Sequence, residues 1–450
     1  MLLEFRVSHY KSFVDEMVFS MMPAPKQKGL DYSILSESID NKLLKGLCSA
    51  VVYGPNASGK TNLIGAMDVL KAIVRRGHIR NADEKHVQNP AQDTLELIPN
   101  ANATYAGDLA FSISFTAEKM LIRYDLTVDL GAFLDDAYSR KVVLEALYIN
   151  DERLFIRRGN ADNRNDALKF GKFEKIAALL INNFFATQEI AEKIASQNLI
   201  DDELFLTNGF KNMFSNKLVG VITEWFQKKL TVILRADAIR AVQLTHTQAQ
   251  SLDNEKALSE AAHRFGSTAN AFKYIASKDE PMPVLYALLE QAPHHEMKAI
   301  DADQFESYGT IRFINMFPFL LQALRHGQTL VIDEFDASIH PMALMSLINV
   351  FHNDAINLHH AQLIFNTHNP IFLNKNLFRR DEIKFVERDD DTHCSTQYAL
   401  SDFSTTGKNG VRKNEDYLHN YFISKYGAIK DVDFAPLFEE LLRQSSEVQP

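Results

Sequence analysis

The run GPNASGKT, Gly54 to Thr61, fits the phosphate-loop spacing G-x-x-x-x-G-K-[ST]. In that spacing successive backbone N–H groups and the start of a following helix surround phosphate oxygens. Gly54, Pro55, Asn56, Ala57, Ser58 and Gly59 are therefore candidate nucleotide-binding residues. Lys60 would reach the β- and γ-phosphates, and the Thr61 hydroxyl would take a Mg²⁺ position. In TLVIDEFD an apolar run carries Asp333 and Glu334 to its end, where an Asp can hold Mg²⁺ and a neighbouring Glu can orient or deprotonate an attacking water. NTHNP puts His368 at the end of another apolar run, one strand–helix–strand step later, where an imidazole can donate to a γ-phosphate oxygen and act as a sensor. QFESYGTIRF sets Ser307 and Gly309 at the head of a helical apolar run. Such a Ser can cap its own helix. A helix start with free N–H groups, a positive dipole end and a Gly can equally receive an anion.

These residues need a sheet to hold them at one edge. LCSAVVYG reads as a buried parallel strand, and NLIGAMDVLKAIVRR places Leu63, Ile64, Met67, Leu70, Ile73 and Val74 at helical spacing. QTLVIDEFD and AQLIFNTHN read as two further buried strands separated by the helical PMALMSLINVFHN. Between the halves, DLAFSISFTA, MLIRYDLTVDL and VVLEALYIN alternate as antiparallel strands do. The expected fold is α/β: a split P-loop ATPase head with an antiparallel β lobe. Residues 1–150 and 301–450 would form the head. Residues 151–300 would be a helical insertion, on the strength of FEKIAALLINNFF and LVGVITEWFQKKLTVIL, projecting as a partner or oligomer surface.

The bulk composition narrows the partners. With 46% hydrophobic and 24% charged residues the chain can bury a real core. A formal net charge of -10 and a pI near 5.9 argue against wholesale adhesion to nucleic acid. DNA contact is left to local basic stretches such as RRGHIR (75–80) and FRR (378–380). Two cysteines, Cys48 and Cys394, cannot build a disulfide framework or a four-cysteine metal site, which suits a reducing compartment. The N-terminal stretch lacks a signal peptide's apolar core, and no run approaches the roughly 18 apolar residues of a membrane span. A cytoplasmic chain with no membrane partner is expected.

Phosphate loop, Ser-x-Gly, Asp-Glu and His in this order resemble ABC-type ATPases of the SMC and RecF group, and more closely the compact RloA/AbiL-type ATPases of bacterial abortive infection. LLEFRVSHYKSF, ESYGTIRFINMFPFLLQAL, VIDEFDASIHP and FNTHNPIFL resemble that group's opening strand, signature helix, Asp-Glu strand with D-loop, and switch segment. The resemblance implies ATP with Mg²⁺ and a homodimer or higher homo-oligomer that closes on nucleotide. Ser307 and Gly309 would bind the γ-phosphate of a nucleotide held by another subunit. Ala337 to His340 would be the D-loop, with His340 near nucleotide, and His368 the switch histidine. It also implies phage defence through a separately encoded effector, a nuclease. The alternatives are a RecF- or SMC-like DNA-repair ATPase and a self-contained OLD-like nuclease built around the acids of FVERDDD (385–391). Roughly 250 residues between Lys60 and Ser307 are too few for a long paired coiled coil. The chain departs from the pattern in Ser-Tyr-Gly-Thr and in His340 at a D-loop end where Asp is common. Gln88, Gln92 and Gln188 are the candidates for a glutamine loop.

Overall fold

Long alternating strands and short, mostly apolar strands form the two largest sheets. The computed structural model describes residues 1–25, 27, 29–80, 95–101, 107–131, 133, 138–159, 167–171, 187–234, 248–275, 284–291, 293–406, 410–412 and 414–447. In chain order the first strands are β1 (Leu2–Ser8), β2 (Met17–Ser20), β3 (Ile34–Ile39), β4 (Lys42–Leu47), β5 (Ser49–Tyr53), β6 (Leu109–Ala117), β7 (Met120–Asp129), β8 (Lys141–Ile149), β9 (Glu152–Arg158) and β10 (Leu168–Phe170). They are followed by β11 (Leu230–Ile233), β12 (Ala271–Ile275), β13 (Val284–Gln291), β14 (Glu296–Asp301), β15 (Thr329–Ile332), β16 (Gln362–Asn366), β17 (Ile383–Arg388) and β18 (Ser395–Ala399). The main helices are α1 (Lys60–Arg76), α2 (Gln188–Gln197), α3 (Asn216–Glu224), α4 (Gln248–Phe265), α5 (Tyr308–His326) and α6 (Pro341–Phe351).

The central sheet runs β11-β15-β16-β5-β17-β18, parallel throughout except for the edge strand β18. Every residue of β5, β15 and β16 is buried, as expected of strands covered on both faces. Alternate side chains supply two cores. Ala50, Val52, Val331 and Ile364 face α1 and the β lobe, whereas Val51, Tyr53, Leu330, Ile332, Leu363 and Phe365 face α5 and α6. The β lobe is a seven-stranded antiparallel sheet, β10-β9-β8-β7-β6-β1-β2. The six apolar positions read as the inner face of the first helix are all buried. That helix stops at Gly77, whose positive φ lets its N–H cap the Ile73 carbonyl at 2.8 Å.

The middle of the chain differs from the helical insertion expected of it. Helices α2, α3 and α4 are there, but residues 151–300 also contribute β9 and β10 to the lobe, β11 to the edge of the central sheet, and the three-stranded sheet β12-β13-β14. LTVIL continues the apolar pattern of α3, and a short apolar run cannot be told from a buried helical segment by periodicity. Because β11 pairs with β15 from Leu230↔Thr329 to Ile233↔Ile332, this span cannot be cut out whole as a projecting surface. FEKIAALLINNFF lies outside the described residues. No helix among the described residues is long and apolar enough to cross a membrane.

One buried side chain joins the two sheets. Gln362, fully buried at the start of β16, donates to the Leu2 carbonyl at 3.0 Å and the Leu47 carbonyl at 2.8 Å. Its Oε1 accepts from Leu2 N at 2.5 Å and from the Thr329 hydroxyl at 2.9 Å. Gln362→Leu keeps the volume but strands four buried polar groups, so it should cost about 2–4 kcal/mol, read by urea denaturation. An unchanged midpoint would mean that water reaches this seam.

Candidate functional site

The loop between β5 and α1 has no room for ordinary side chains at two of its glycines. A Cβ on Gly54 would lie 2.1 Å from the Val386 carbonyl oxygen and 2.6 Å from Ser58 Oγ. One on Gly59, at φ 110, would lie 2.6 Å from Ser395 Oγ and 2.7 Å from Ser12 Oγ. The loop is also tied from outside. Ser395 donates to the Ser58 carbonyl at 2.6 Å, and Asn62 on α1 donates to Ser12 Oγ at 2.8 Å. Lys60 folds back and donates to the carbonyls of Gly54 at 2.8 Å and Pro55 at 2.9 Å. Burial lowers its ammonium to about 8, while Asp333, Glu334 and Asp336 pull it the other way.

Facing the loop, Asp333 follows β15 directly. Thr61 Oγ1 lies 3.0 Å from Asp333 Oδ2 and 3.2 Å from Oδ1. In a Mg²⁺ octahedron with metal–oxygen distances of about 2.0–2.1 Å, neighbouring ligand oxygens are about 2.9 Å apart. The hydroxyl and the carboxylate thus already stand as two adjacent positions of such an octahedron would, so these residues fit the ion. Burial raises the Asp333 carboxyl above the ordinary aspartate range, and hydrogen bonds from Asn366 and Thr61 oppose the shift. Asn366, the last residue of β16, donates to Asp333 Oδ1 while its own Oδ1 accepts from Glu334 N. The Glu334 side chain is exposed beside the loop, on a residue at φ 52, and its carbonyl accepts from Arg312 of α5. His368 is exposed two residues past β16. Partial burial and the Lys60 charge lower its pKa, which favours the neutral imidazole, while Asp336 and Glu334 oppose the shift. Asp336 acts electrostatically on both Lys60 and His368.

Ser307 and Gly309 belong to the start of α5. Ser307 caps that helix, its Oγ accepting from Thr310 N at 3.2 Å, yet the residue is exposed, as is Tyr308. Gly309 permits a close approach within the same chain, since a Cβ there would lie 2.2 Å from the Ser338 carbonyl oxygen. His340 is exposed and caps α6, its Nδ1 accepting from Met342 N at 3.3 Å. The loop, Lys60, Thr61, Asp333, Glu334 and His368 therefore gather at one sheet edge, with α5 reaching it through Arg312 and the Ser338 carbonyl. Asn366, Arg312, Asp336 and Ser395 were not foreseen. An Asn at a strand end reads as a turn residue, and the partners of the others lie across the fold rather than along the chain.

Other sequence candidates lie elsewhere. Gln188 donates to Glu192 and to the Phe170 carbonyl at the lobe's edge strand. Gln88 and Gln92 lie outside the described residues. Of the basic stretches, Arg379 is buried against Asp381 and the Gly29 carbonyl, and Arg380 is buried against the carbonyls of Leu400 and Phe403. Arg80 pairs with Asp202 and Glu203. Arg379 and Arg380 hold the fold together rather than presenting charge to DNA. In FVERDDD, Glu387 accepts from Tyr398 and from Ala428 N, and Asp389 caps a turn through Asp391 N and Thr392.

Comparison with known proteins places these residues in a family. A family model described as "AAA domain, putative AbiEii toxin, Type IV TA system" matches residues 49–197 and 221–374. No curated protein matches. Among solved structures, the SMC head domain from Thermotoga maritima is 11% identical, with 88% of this chain and 98% of that chain covered at a TM-score of 0.33. At that score the overlay adds nothing to the fold seen directly.

The close approach at Gly309 is testable without any ligand. Gly309→Ala drives a Cβ into a backbone oxygen and should cost about 1–3 kcal/mol. Gly220→Ala in α3, where a Cβ would meet nothing within 4 Å, should instead gain about 0.5–1 kcal/mol. Thermal or urea unfolding of both variants gives the answer; equal shifts would remove the α5–Ser338 contact as an explanation.

Proposed function

Because the chain belongs to that AAA-domain family, we propose that it binds and hydrolyses ATP with Mg²⁺ at the β5–α1 loop, and that two or more copies close on nucleotide as a conformational switch. The observation that carries this reading is the meeting of Lys60, Thr61 and Asp333 at one sheet edge, with oxygens already spaced for Mg²⁺. The loop amides and Lys60 hold the phosphates once the ammonium exchanges its two carbonyl partners for phosphate oxygens. Thr61 and Asp333 would hold the ion, which would supply positive charge beside the transferred phosphoryl group. Glu334, exposed at the same edge, orients the attacking water, and the neutral His368 donates to the γ-phosphate. Gly309 and Ser307, at an exposed helix start, receive the γ-phosphate of a nucleotide on a neighbouring copy, with His340 beside it.

The switch acts in bacterial anti-phage defence, on a separately encoded effector, a nuclease. The description of the family as a putative toxin of a toxin–antitoxin system supports the defence role alone; the separate effector rests on the resemblance to abortive-infection ATPases. Co-expression with neighbouring genes followed by purification identifies the effector. Recovery of the ATPase alone under both nucleotide-free and ATP-bound conditions would argue for a switch without one.

Two measurements test the site. Lys60→Ala should lose turnover and weaken ATP binding, and Ser307→Arg should lose turnover while still binding ATP. Mixing the two after subunit exchange restores one intact composite site, so hydrolysis should return. Full activity in Ser307→Arg alone would leave Ser307 as a helix cap only. The depressed Lys60 pKa gives the second test. At pH 8 the ammonium is about half protonated, and bound phosphates favour the charged form, so Mg-ADP binding should take up roughly half a proton. Calorimetry in two buffers of different ionisation enthalpy reads the uptake directly; equal heats would mean that Lys60 is already fully charged.

A further inference from the structure

At the opposite edge of the central sheet, where β5 and β17 begin, three side chains of metal-binding type converge. Cys48 and Glu382 immediately precede those strands and His352 immediately follows α6; all three are buried. One donor atom from each lies within 4.8 Å of the others, and His352 Nε2 is 3.5 Å from Glu382 Oε1. Ser49 Oγ joins them, 2.8 Å from His352 Nε2 and donating to Glu382 Oε1 at 2.7 Å. Arg379 N fixes the other carboxylate oxygen at 2.7 Å. His352 Nδ1 and Ser33 Oγ are buried here without a hydrogen-bond partner, and the Ser33 carbonyl accepts from Cys48 N at 2.9 Å.

We propose that Cys48, His352 and Glu382 form a zinc site, with the Ser49 hydroxyl as the fourth donor, that fastens the end of α6 to the starts of β5 and β17. The donor set is the first reason. Thiolate, imidazole and carboxylate together suit Zn²⁺, whereas Mg²⁺ and Ca²⁺ take oxygen. Spacing is the second. Zinc–ligand distances of about 2.0–2.3 Å put tetrahedral donors about 3.3–3.6 Å apart; the imidazole and carboxylate, 3.5 Å apart, already meet that. On metal binding the Ser49 hydroxyl, 2.8 and 2.7 Å from them, would draw back and the sulfur, within 4.8 Å, would close in. Charge is the third. Glu382 is fully buried, and the Arg379 guanidinium near it is committed to Asp381 and the Gly29 carbonyl, so an ion would supply compensating charge to a buried carboxylate. An ion there would join the strand that ends in the phosphate loop to the helix that follows the D-loop.

The test uses the full chain, stripped with a chelator and returned to zinc with Mg²⁺ present throughout. Elemental analysis after gel filtration should find one zinc per chain in wild type and none in Cys48→Ala or His352→Gln. Chelation should lower the thermal midpoint of wild type and leave that of Cys48→Ala unchanged. Cobalt(II) loading should give a thiolate charge-transfer band that survives in Cys394→Ala, where Cys48 is the remaining thiol. That arm does not depend on the Cys48 variants folding. Substoichiometric zinc in folded wild type, or a cobalt band absent from Cys394→Ala, would overturn the assignment.

Discussion

The parallel pairing of β16 between β15 and β5 is the constraint on which the rest of the molecule hangs. Its register sets Ile332 against Phe365 and Asn366 against Val52, so the chains leaving β15 and β5 emerge at nearly the same level. Asp333 and Gly54 then face each other across the end of β16, and Asn366 is placed to reach both Asp333 and Glu334. The other end of the same strand carries a second amide, Gln362, which binds the lobe to the sheet. A slip of one residue would exchange the two faces of the strand and bury neither amide correctly.

The two cores give the edge its rigidity and its means of response. One face of the sheet is locked to α1 and the lobe, so the β5–α1 loop is fixed by Ser12 and Ser395 as well as by its own strand. The other face carries α5, which touches the acidic turn through Arg312 and rests on the Ser338 carbonyl through Gly309. The link between the acidic turn and α5 therefore runs through the Glu334 backbone carbonyl, leaving the Glu334 carboxylate out of it.

Much of this was legible in the residues themselves. Short, mostly apolar runs leading to Gly54, Asp333 and Thr367 were readable as parallel strands because both faces of such strands must be buried. The alternation of β6 to β8 was readable because one face of each is not. β11 was hidden because its three apolar residues continue the pattern of the helix before them. Arg312 and Asn366 were hidden because their partners lie 22 and 33 residues away through space, at positions set by the register of the sheet. Ser307 was ambiguous in sequence for a physical reason: its hydroxyl does cap α5, and capping leaves the same helix start open to solvent.

The order in which the central sheet is written along the chain has a cost during synthesis. β5 is made early, yet its two neighbours, β16 and β17, begin at residues 362 and 383. At roughly 5–20 residues per second, a ribosome leaves β5 with both edges unpaired for about 15–60 s. The first half of the nascent chain must therefore be shielded by the β lobe, by a chaperone or by the exit tunnel until its partners arrive. Any truncated product that stops before residue 362 would carry an exposed, largely apolar strand into solution, where pairing with another such strand is the nearest alternative.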